Sequence, residues 1–548
     1  MVVEGMDQKD IVQLKAKIEK VNHVDSVIWY DSLSNGTVPM ELLPKKYYDA
    51  FNNGNATLMV IFFDSSTSAS ETMTAIKDIR NITTKDCFLT GMSSLVTDLK
   101  DLCEKEEPIY VGLAVLLATL AMMIFLDSWL IPFVFLAGIG MAIMWNLGSN
   151  IFMGEISYIT KALSSVLQLA VTMDYSIFLW HKYEEERDII DDDHEAMAEA
   201  VNKTMSAVVG SSITTVAGFV ALCFMTYKLG MDLGIVMAKG VILGVISCVT
   251  ILPAMILVFD RFIEKTRHRE FLPEFDKTSK FVNKISKGFF IFALVILIPS
   301  YMAQGMTNFM YGNDAVGAGE GTALYEHSEE INKVFGRSNL NVILVPATSN
   351  VTEKALAEKL KSLDYVKSVT SLADTLPDGI PEKIIPSDTV SLLHKDGYAR
   401  ILVFTKTKGE SKLAYSSANE IKQIVNEYYP NENYITGNTY ATMDMEKILK
   451  EDYNKVNNLS LLGVFLVVAF SFKSVLLAVL AMIPIEMAIF VNMSFSYVYG
   501  TKLAFIGYIV VSSIQLGATV DYAILSISNY RELRKRLNKK ESAIKMTK

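Results

Sequence analysis

The octet QLAVTMDY at residues 168–175 returns as QLGATVDY at residues 515–522, and each copy lies inside a long apolar run. About 20 apolar residues suffice for a helix to cross a bilayer. Each run nevertheless carries an acid, Asp174 in the first and Asp521 in the second, followed directly by Tyr175 or Tyr522. An ionisable group in hydrocarbon costs several kcal/mol and marks a functional site by default. Both copies leave through charged exits, Tyr183-Glu-Glu-Glu-Arg187 and Tyr530-Arg-Glu-Leu-Arg534. A chain that repeats such a segment must fold so that both acids turn away from lipid.

The rest of the sequence fits a polytopic α-helical membrane protein with two α/β regions. Of its 548 residues 51% are hydrophobic, and these fall in blocks separated by two polar stretches. Residues 1–107 read as α/β, with helical periodicity at 7–20, a strand at 24–29, a β-rich apolar run at 57–63, a helix at 68–82 and a short strand at 87–90. A helix from 93 to 107 leads through Pro108 into the membrane. Residues 108–260 hold five spans, at about 109–126, 130–147, 156–180, 205–226 and 233–259. A basic linker at 261–287 precedes a sixth span within 288–303, and residues 304–455 form the second α/β region. Three further spans fill 456–527, at about 459–472, 475–497 and 503–526, and a basic tail runs from 528 to 548.

Orientation follows from the short connections. The linker at 261–287 carries eight Lys and Arg, and so does the tail from Arg531, whereas the loops at 148–155 and 498–502 carry only Lys502. The basic segments are therefore expected in the cytoplasm and both α/β regions outside. Matches of Val24-Asp-Ser-Val27 with Val366-Lys-Ser-Val369, Thr90-Gly91 with Thr436-Gly437, Met141-Ala-Ile143 with Met487-Ala-Ile489 and Asn146 with Asn492 keep a spacing of roughly 342 to 347 residues. Two halves of equal order and orientation are parallel repeats. Laid on each other, they leave a leading span, the opening strand and helix of the first α/β region, and the counterparts of the spans at 205–226 and 233–259 without sequence. The expectation is nine spans of a twelve-span design, incomplete at both ends.

On a helix turning about 100° per residue, Asp174 and Tyr175 lie within a quarter-turn of each other, beside Leu167, Val171 and Phe178. Ser165 and Thr172 fall on the opposite side. The arrangement that serves both halves packs Asp174 against Tyr522 and Asp521 against Tyr175 at the pseudo-symmetry axis. Burial disfavours the carboxylate ion and a donating phenol favours it. The opposed effects let the acid load and release protons near physiological pH. A static hydrogen-bonded pair that only specifies helix packing is the alternative.

Other polar residues in the spans, Glu486, Lys239 and Lys161, read equally well as structural pairing or snorkelling. Asp191-Asp-Asp193 reads as a solvated turn. The four cysteines, Cys87, Cys103, Cys223 and Cys248, are expected as free thiols. A net charge of −9 argues against nucleic acid as a partner. There is no G-x-x-x-x-G-K-[ST] loop and no His/Cys cluster with metal-ligand spacing. No cofactor is implied, and the energy for work must come from an ion gradient.

The two Asp-Tyr spans, the paired α/β regions, SSITTVAGFVAL (211–222) and LGIVMAKGVILGVISCVTILPA (233–254) together resemble the resistance–nodulation–division superfamily, in particular its MMPL branch of hydrophobe and lipid exporters. The resemblance implies a proton-driven secondary transporter, not an enzyme, in which Asp174, Tyr175, Asp521 and Tyr522 relay protons. It also implies porter-like, split βαβ outer domains that form the path of a hydrophobic or lipid-like substrate, in a plasma-membrane setting. Spans absent from this chain would be supplied by another chain. A Patched-like or sterol-sensing lipid receptor, a SecD/SecF-like translocation accessory and an inactive fragment of a split transporter are the competing readings of the same scaffold.

Overall fold

The computed structural model describes residues 1–29, 51–84, 86–269, 276–312, 323–375, 390–391 and 393–547. Parts of both expected α/β regions, part of the basic linker and the last residue of the tail lie outside the described residues. Helices α1 (Gln8–Ile18) and α2 (Ser70–Ile82) precede α3 (Met92–Phe125), α4 (Ile131–Gly148), α5 (Tyr158–Arg187), α6 (Asp193–Leu222) and α7 (Lys228–Lys265). Helix α8 (Asp276–Gly305) is followed by α9 (Ala323–Phe335), α10 (Asn350–Lys361), α11 (Leu372–Thr375) and α12 (Lys412–Tyr428). The chain ends in α13 (Asn438–Phe472), α14 (Val475–Tyr499), α15 (Phe505–Leu533) and α16 (Lys539–Met546).

Residues Met1–Leu102 and Met310–Glu446 make one compact unit, and Cys103–Phe309 and Lys447–Lys548 another. In the first unit, β8 (Asn339–Pro346), α10, β9 (Val366–Thr370), β11 (Tyr398–Thr405), α12 and β12 (Tyr434–Gly437) follow one another as βαββαβ. The antiparallel order is β12-β8-β11-β9, so β8 and β9 are split by β11. Alternation along β8 and β11 buries Ile343, Val345, Ile401 and Val403 under α10 and α12. The earlier stretch repeats this order. There β1 (Val2–Glu4) pairs with β4 (Ala56–Leu58) and β6 (Cys87–Phe88), while β2 (Val24–Ile28) pairs with β5 (Val60–Phe63). The apolar run expected as one strand at 57–63 thus breaks at Met59. Its N–H bonds to Met1 O at 2.8 Å, its side chain is fully buried, and the two halves serve different partners. Ile18, Trp29, Ile76 and Ile79 close a separate core beneath them.

The second unit is helical. Among the described residues, eight helices are long and apolar enough to cross a membrane, and nine if the bent pair Asp193–Met205 and Ala207–Leu222 counts as one span. These coincide with the nine stretches read from the sequence, and the protein is a multi-pass membrane protein. Several helices outrun their apolar windows. Helix α3 passes through Pro108 for 34 residues, and α13 begins 21 residues ahead of its expected span. A proline inside a span is tolerated where neighbouring groups satisfy the freed carbonyl.

Helix α7 packs against α4, α5 and α6; α15 packs against α6 and α14, and α14 against α8. Where α5 ends, Arg187 bridges Asp193 at 2.8 Å, Glu264 at 2.8 Å and Asp260 at 3.2 Å. Asp192 caps α6 through the N–H groups of His194 and Glu195. The turn expected to be merely solvated therefore starts one helix and pairs with another. At the opposite end of α6, the buried Asp452 of α13 accepts from the Thr226 N–H at 2.9 Å and the Tyr227 N–H at 3.0 Å. All four cysteines are free thiols.

Candidate functional site

Helix α5 is set in depth and rotation before Asp174 is reached. Ser157 caps its first turn, and Asp232 of α7 accepts from the Ser157 N–H at 2.7 Å and the Thr160 hydroxyl at 2.8 Å. Two turns on, the buried Gln168 accepts from Asn146 of α4 at 2.9 Å and donates to the Gly240 carbonyl of α7 at 3.1 Å. Glycine is required there, since a Cβ at Gly240 would sit 2.7 Å from Asn146 Nδ2. One turn further, a Cβ at Gly244 would sit 2.6 Å from Thr172 Oγ1. Small residues bring the backbones close enough for these bonds to form.

Helix α15 carries the same device. Asn492 of α14 donates to Gln515 at 3.1 Å, the bond that Asn146 makes to Gln168. Its tight neighbour is α6. Thr215 donates to the Gly517 carbonyl at 3.2 Å, and Cβ atoms at Gly517 and Gly218 would fall 3.3 and 3.4 Å from the facing backbone. This approach delivers the hydroxyl row of Ser211, Thr214 and Thr215 to the acid one turn below Gly517.

The structure brings together one of the two expected cross-pairs. Tyr522 donates its phenol to Asp174 Oδ2, joining α15 to α5. The reciprocal bond is not formed. Asp521 Oδ1 instead lies 3.2 Å from Thr214 Oγ1, whose hydrogen also reaches the Ser211 carbonyl. Tyr175 is 4% exposed, with its hydroxyl beside Ser211 and Thr215 but without a hydrogen-bond partner among the described residues. The expected symmetry fails because α15 packs closely on α6, so a hydroxyl of α6 reaches Asp521 where Tyr175 was expected. Tyr522 keeps 57% of its surface exposed even while bonded to Asp174. The two acids therefore stand in unlike settings, one facing a phenol and the other the aliphatic hydroxyls of Thr214 and Ser211.

Of the remaining charged residues in the spans, Lys239 donates to Asn146 O at 3.0 Å and Asn150 Oδ1 at 2.5 Å, which is structural pairing across α4 and α7. Glu486 Oε1 is buried without a hydrogen-bond partner among the described residues. Thr214 is the site residue that inspection of α5 and α15 alone missed. The run SSITT that contains it drew notice only through the resemblance, although a cluster of five hydroxyl-bearing and β-branched residues within a span is itself a polar signal.

The family description that fits this chain is "MMPL family", matched over residues 13–286 and 320–548. A putative membrane protein ActII-3 of Streptomyces coelicolor is 23% identical over 76% of this chain and 58% of its own length. The apo-petrobactin exporter of Bacillus anthracis is 24% identical over 50% of this chain and 41% of its own. The siderophore exporter MmpL5 of Mycobacterium tuberculosis is 24% identical over 32% of this chain and 19% of its own. The chain thus spans less than two thirds of the length of each of these three relatives.

Proposed function

Because the chain belongs to the MMPL family, we propose that it is a proton-driven exporter of hydrophobic, amphiphilic or lipid-like compounds in the plasma membrane, with Asp174, Tyr175, Asp521 and Tyr522 as its proton relay. The relatives named as exporters favour transport over catalysis. The observation that carries the relay is the bond from Tyr522 to Asp174, which joins the two Asp-Tyr helices through the residues their duplication singled out.

The matching strand orders and the matching Asn-to-Gln bridges support two parallel repeats about an axis along the membrane normal. The basic linker and tail support extracytoplasmic α/β domains. In the cycle we envisage, a proton reaching Asp174 removes the charge that Tyr522 stabilises and loosens that bond. Helix α15 then shifts against α6, Asp521 leaves Thr214, and the unpartnered Tyr175 hydroxyl takes it up. One elementary charge crossing 100 mV is worth about 2.3 kcal/mol, enough to bias two packings that differ by a few hydrogen bonds.

The test is efflux of a lipophilic dye from proteoliposomes under an imposed pH gradient. Asp174→Asn and Asp521→Asn each abolish gradient-dependent efflux at unchanged membrane abundance. If both variants still pump, the coupling role is wrong.

A further inference from the structure

The first turns of α8 and the whole of α16 form a basic surface at the membrane edge that plays no part in the Asp-Tyr site. Helix α8 has 30 residues, a length of about 45 Å, whereas the hydrocarbon core of a bilayer is about 30 Å thick. Its apolar run begins at Gly288, so the turns from Lys277 to Lys287 stand out of the hydrocarbon among headgroups and water. Lys277, Lys280, Lys284 and Lys287 are all exposed. At about 100° per residue they share an arc of about 80° on one face of the helix. Phe281 and Ile285 lie on one flank of that arc and are 61% and 40% exposed. Ser279, buried, lies on the other flank, where α16 docks.

Helix α16 is capped by Asn538, which accepts from the N–H groups of Lys540 and Glu541 at 3.1 and 2.9 Å. Ser279 donates to the Ile544 carbonyl, and its Oγ lies 2.7 Å from Thr547 Oγ1. The end of the chain is therefore a folded helix fixed on α8, and it brings the exposed Lys539, Lys540 and Lys545 beside the stripe. Among the described residues, no ion pair joins any of these seven lysines to an acid. Charge that only orients a span needs to lie on one side of the membrane. It need not be aligned on one helix face, left without acids and braced by a second helix. Like charges three and four residues apart destabilise a helix, so the stripe calls for a counter-charge.

We propose that the lysine stripe of α8, with the docked α16, is a binding surface for the headgroups of anionic phospholipids. A soluble anion would neutralise the lysines but leave Phe281 and Ile285 in water. A lipid answers both, with its phosphodiester on the lysines and its upper acyl chain against the two apolar side chains. The inference needs neither the proton relay nor the exporter reading.

Electron paramagnetic resonance of the chain in phosphatidylcholine nanodiscs tests this, with a trace of spin-labelled phosphatidylglycerol or spin-labelled phosphatidylcholine as the probe. The parent is expected to hold phosphatidylglycerol in its motionally restricted shell roughly fivefold over phosphatidylcholine. The combined variant Lys277→Gln/Lys280→Gln/Lys284→Gln/Lys287→Gln loses most of that preference, and so does the parent at high salt. Lys359→Gln/Lys408→Gln/Lys412→Gln/Lys422→Gln removes the same charge from the α/β unit and keeps the preference. A preference unaltered in the α8 variant overturns the proposal, as does one lost equally in both variants. Loss of the preference on adding millimolar inorganic phosphate also overturns it, since the surface would then read a free anion.

Discussion

Thr214 Oγ1 on α6 stands 3.2 Å from Asp521 Oδ1 on α15, where the sequence symmetry calls for Tyr175. The two carboxyl groups of the proposed relay consequently meet different chemistry, a phenol for Asp174 and aliphatic hydroxyls for Asp521. A threonine is a weaker acid than a phenol, so it can orient Asp521 but cannot readily give its proton away.

Thr214→Val keeps the shape and deletes the donor. A hydrogen bond to a charged group is worth about 1.5–3 kcal/mol, so gradient-driven efflux falls roughly tenfold or more. Thr214→Ser, which restores the hydroxyl, recovers most of the rate. Equal rates for the valine variant and the parent would remove Thr214 from the site.

Gly240→Ala and Gly244→Ala each introduce a methyl where an atom of α4 or α5 already sits, 2.7 Å from Asn146 Nδ2 and 2.6 Å from Thr172 Oγ1. Overpacking of this kind costs about 1–3 kcal/mol. Both variants unfold at lower temperature in detergent, as followed by intrinsic fluorescence. Gly140→Ala, on α4 with nothing within 4 Å of its added Cβ, is the control and stays at the parent's midpoint.

Phe152 and Ile189, 90% and 77% exposed, flank opposite ends of α5. With the partly exposed Cys103 and Cys223 replaced by serine, Phe152→Cys reacts with a membrane-impermeant maleimide added to intact cells. Ile189→Cys reacts only after the membrane is opened. Labelling of both from outside contradicts the proposed orientation of the spans.

Within the βαββαβ fold, Glu353 is 1% exposed and bonds to His394 Nε2 at 2.8 Å and the Ala373 N–H at 3.1 Å. Burial pushes its carboxyl up, but the His394 bond, the Ala373 N–H and Ser371 outweigh burial and hold it below the usual glutamate value. A depressed carboxyl contributes its stability in full above the unfolded-state value and loses it as pH falls through the lower folded-state one. Thermal unfolding midpoints across the acidic range should drop for the parent. Glu353→Gln starts lower at neutral pH and changes less on acidification, and parallel curves for the two would exclude the effect.

Much of this was legible in the sequence because duplication did the work of a distance measurement. Asp174 and Tyr522 sit at corresponding ends of two copies, so a bond between them follows once both helices face a common axis. Asp521 was not legible in the same way. Helical arithmetic fixes the direction of a side chain relative to its own helix and is silent about the neighbour it meets. That neighbour is chosen by Gly517 and Gly218, which draw α15 onto α6 and substitute Thr214 for Tyr175. The break at Met59 was hidden for a related reason, since alternation along 57–63 reports a strand but not that its two halves pair with different partners. The nine spans were plain because hydropathy needs no partner, whereas the extensions of α3 and α13 lie in polar sequence that hydropathy passes over.

The buried carboxylate of Asp452, clasping the turn between α6 and α7 by two backbone amides, has a mechanical meaning. It acts as a pivot pin: α13 cannot tilt without carrying that turn with it or breaking both clasps. Helix α13 and the α6–α7 turn are thus fastened together at this end of the bundle, while at the far end of α6 it is Arg187 that gathers three acids.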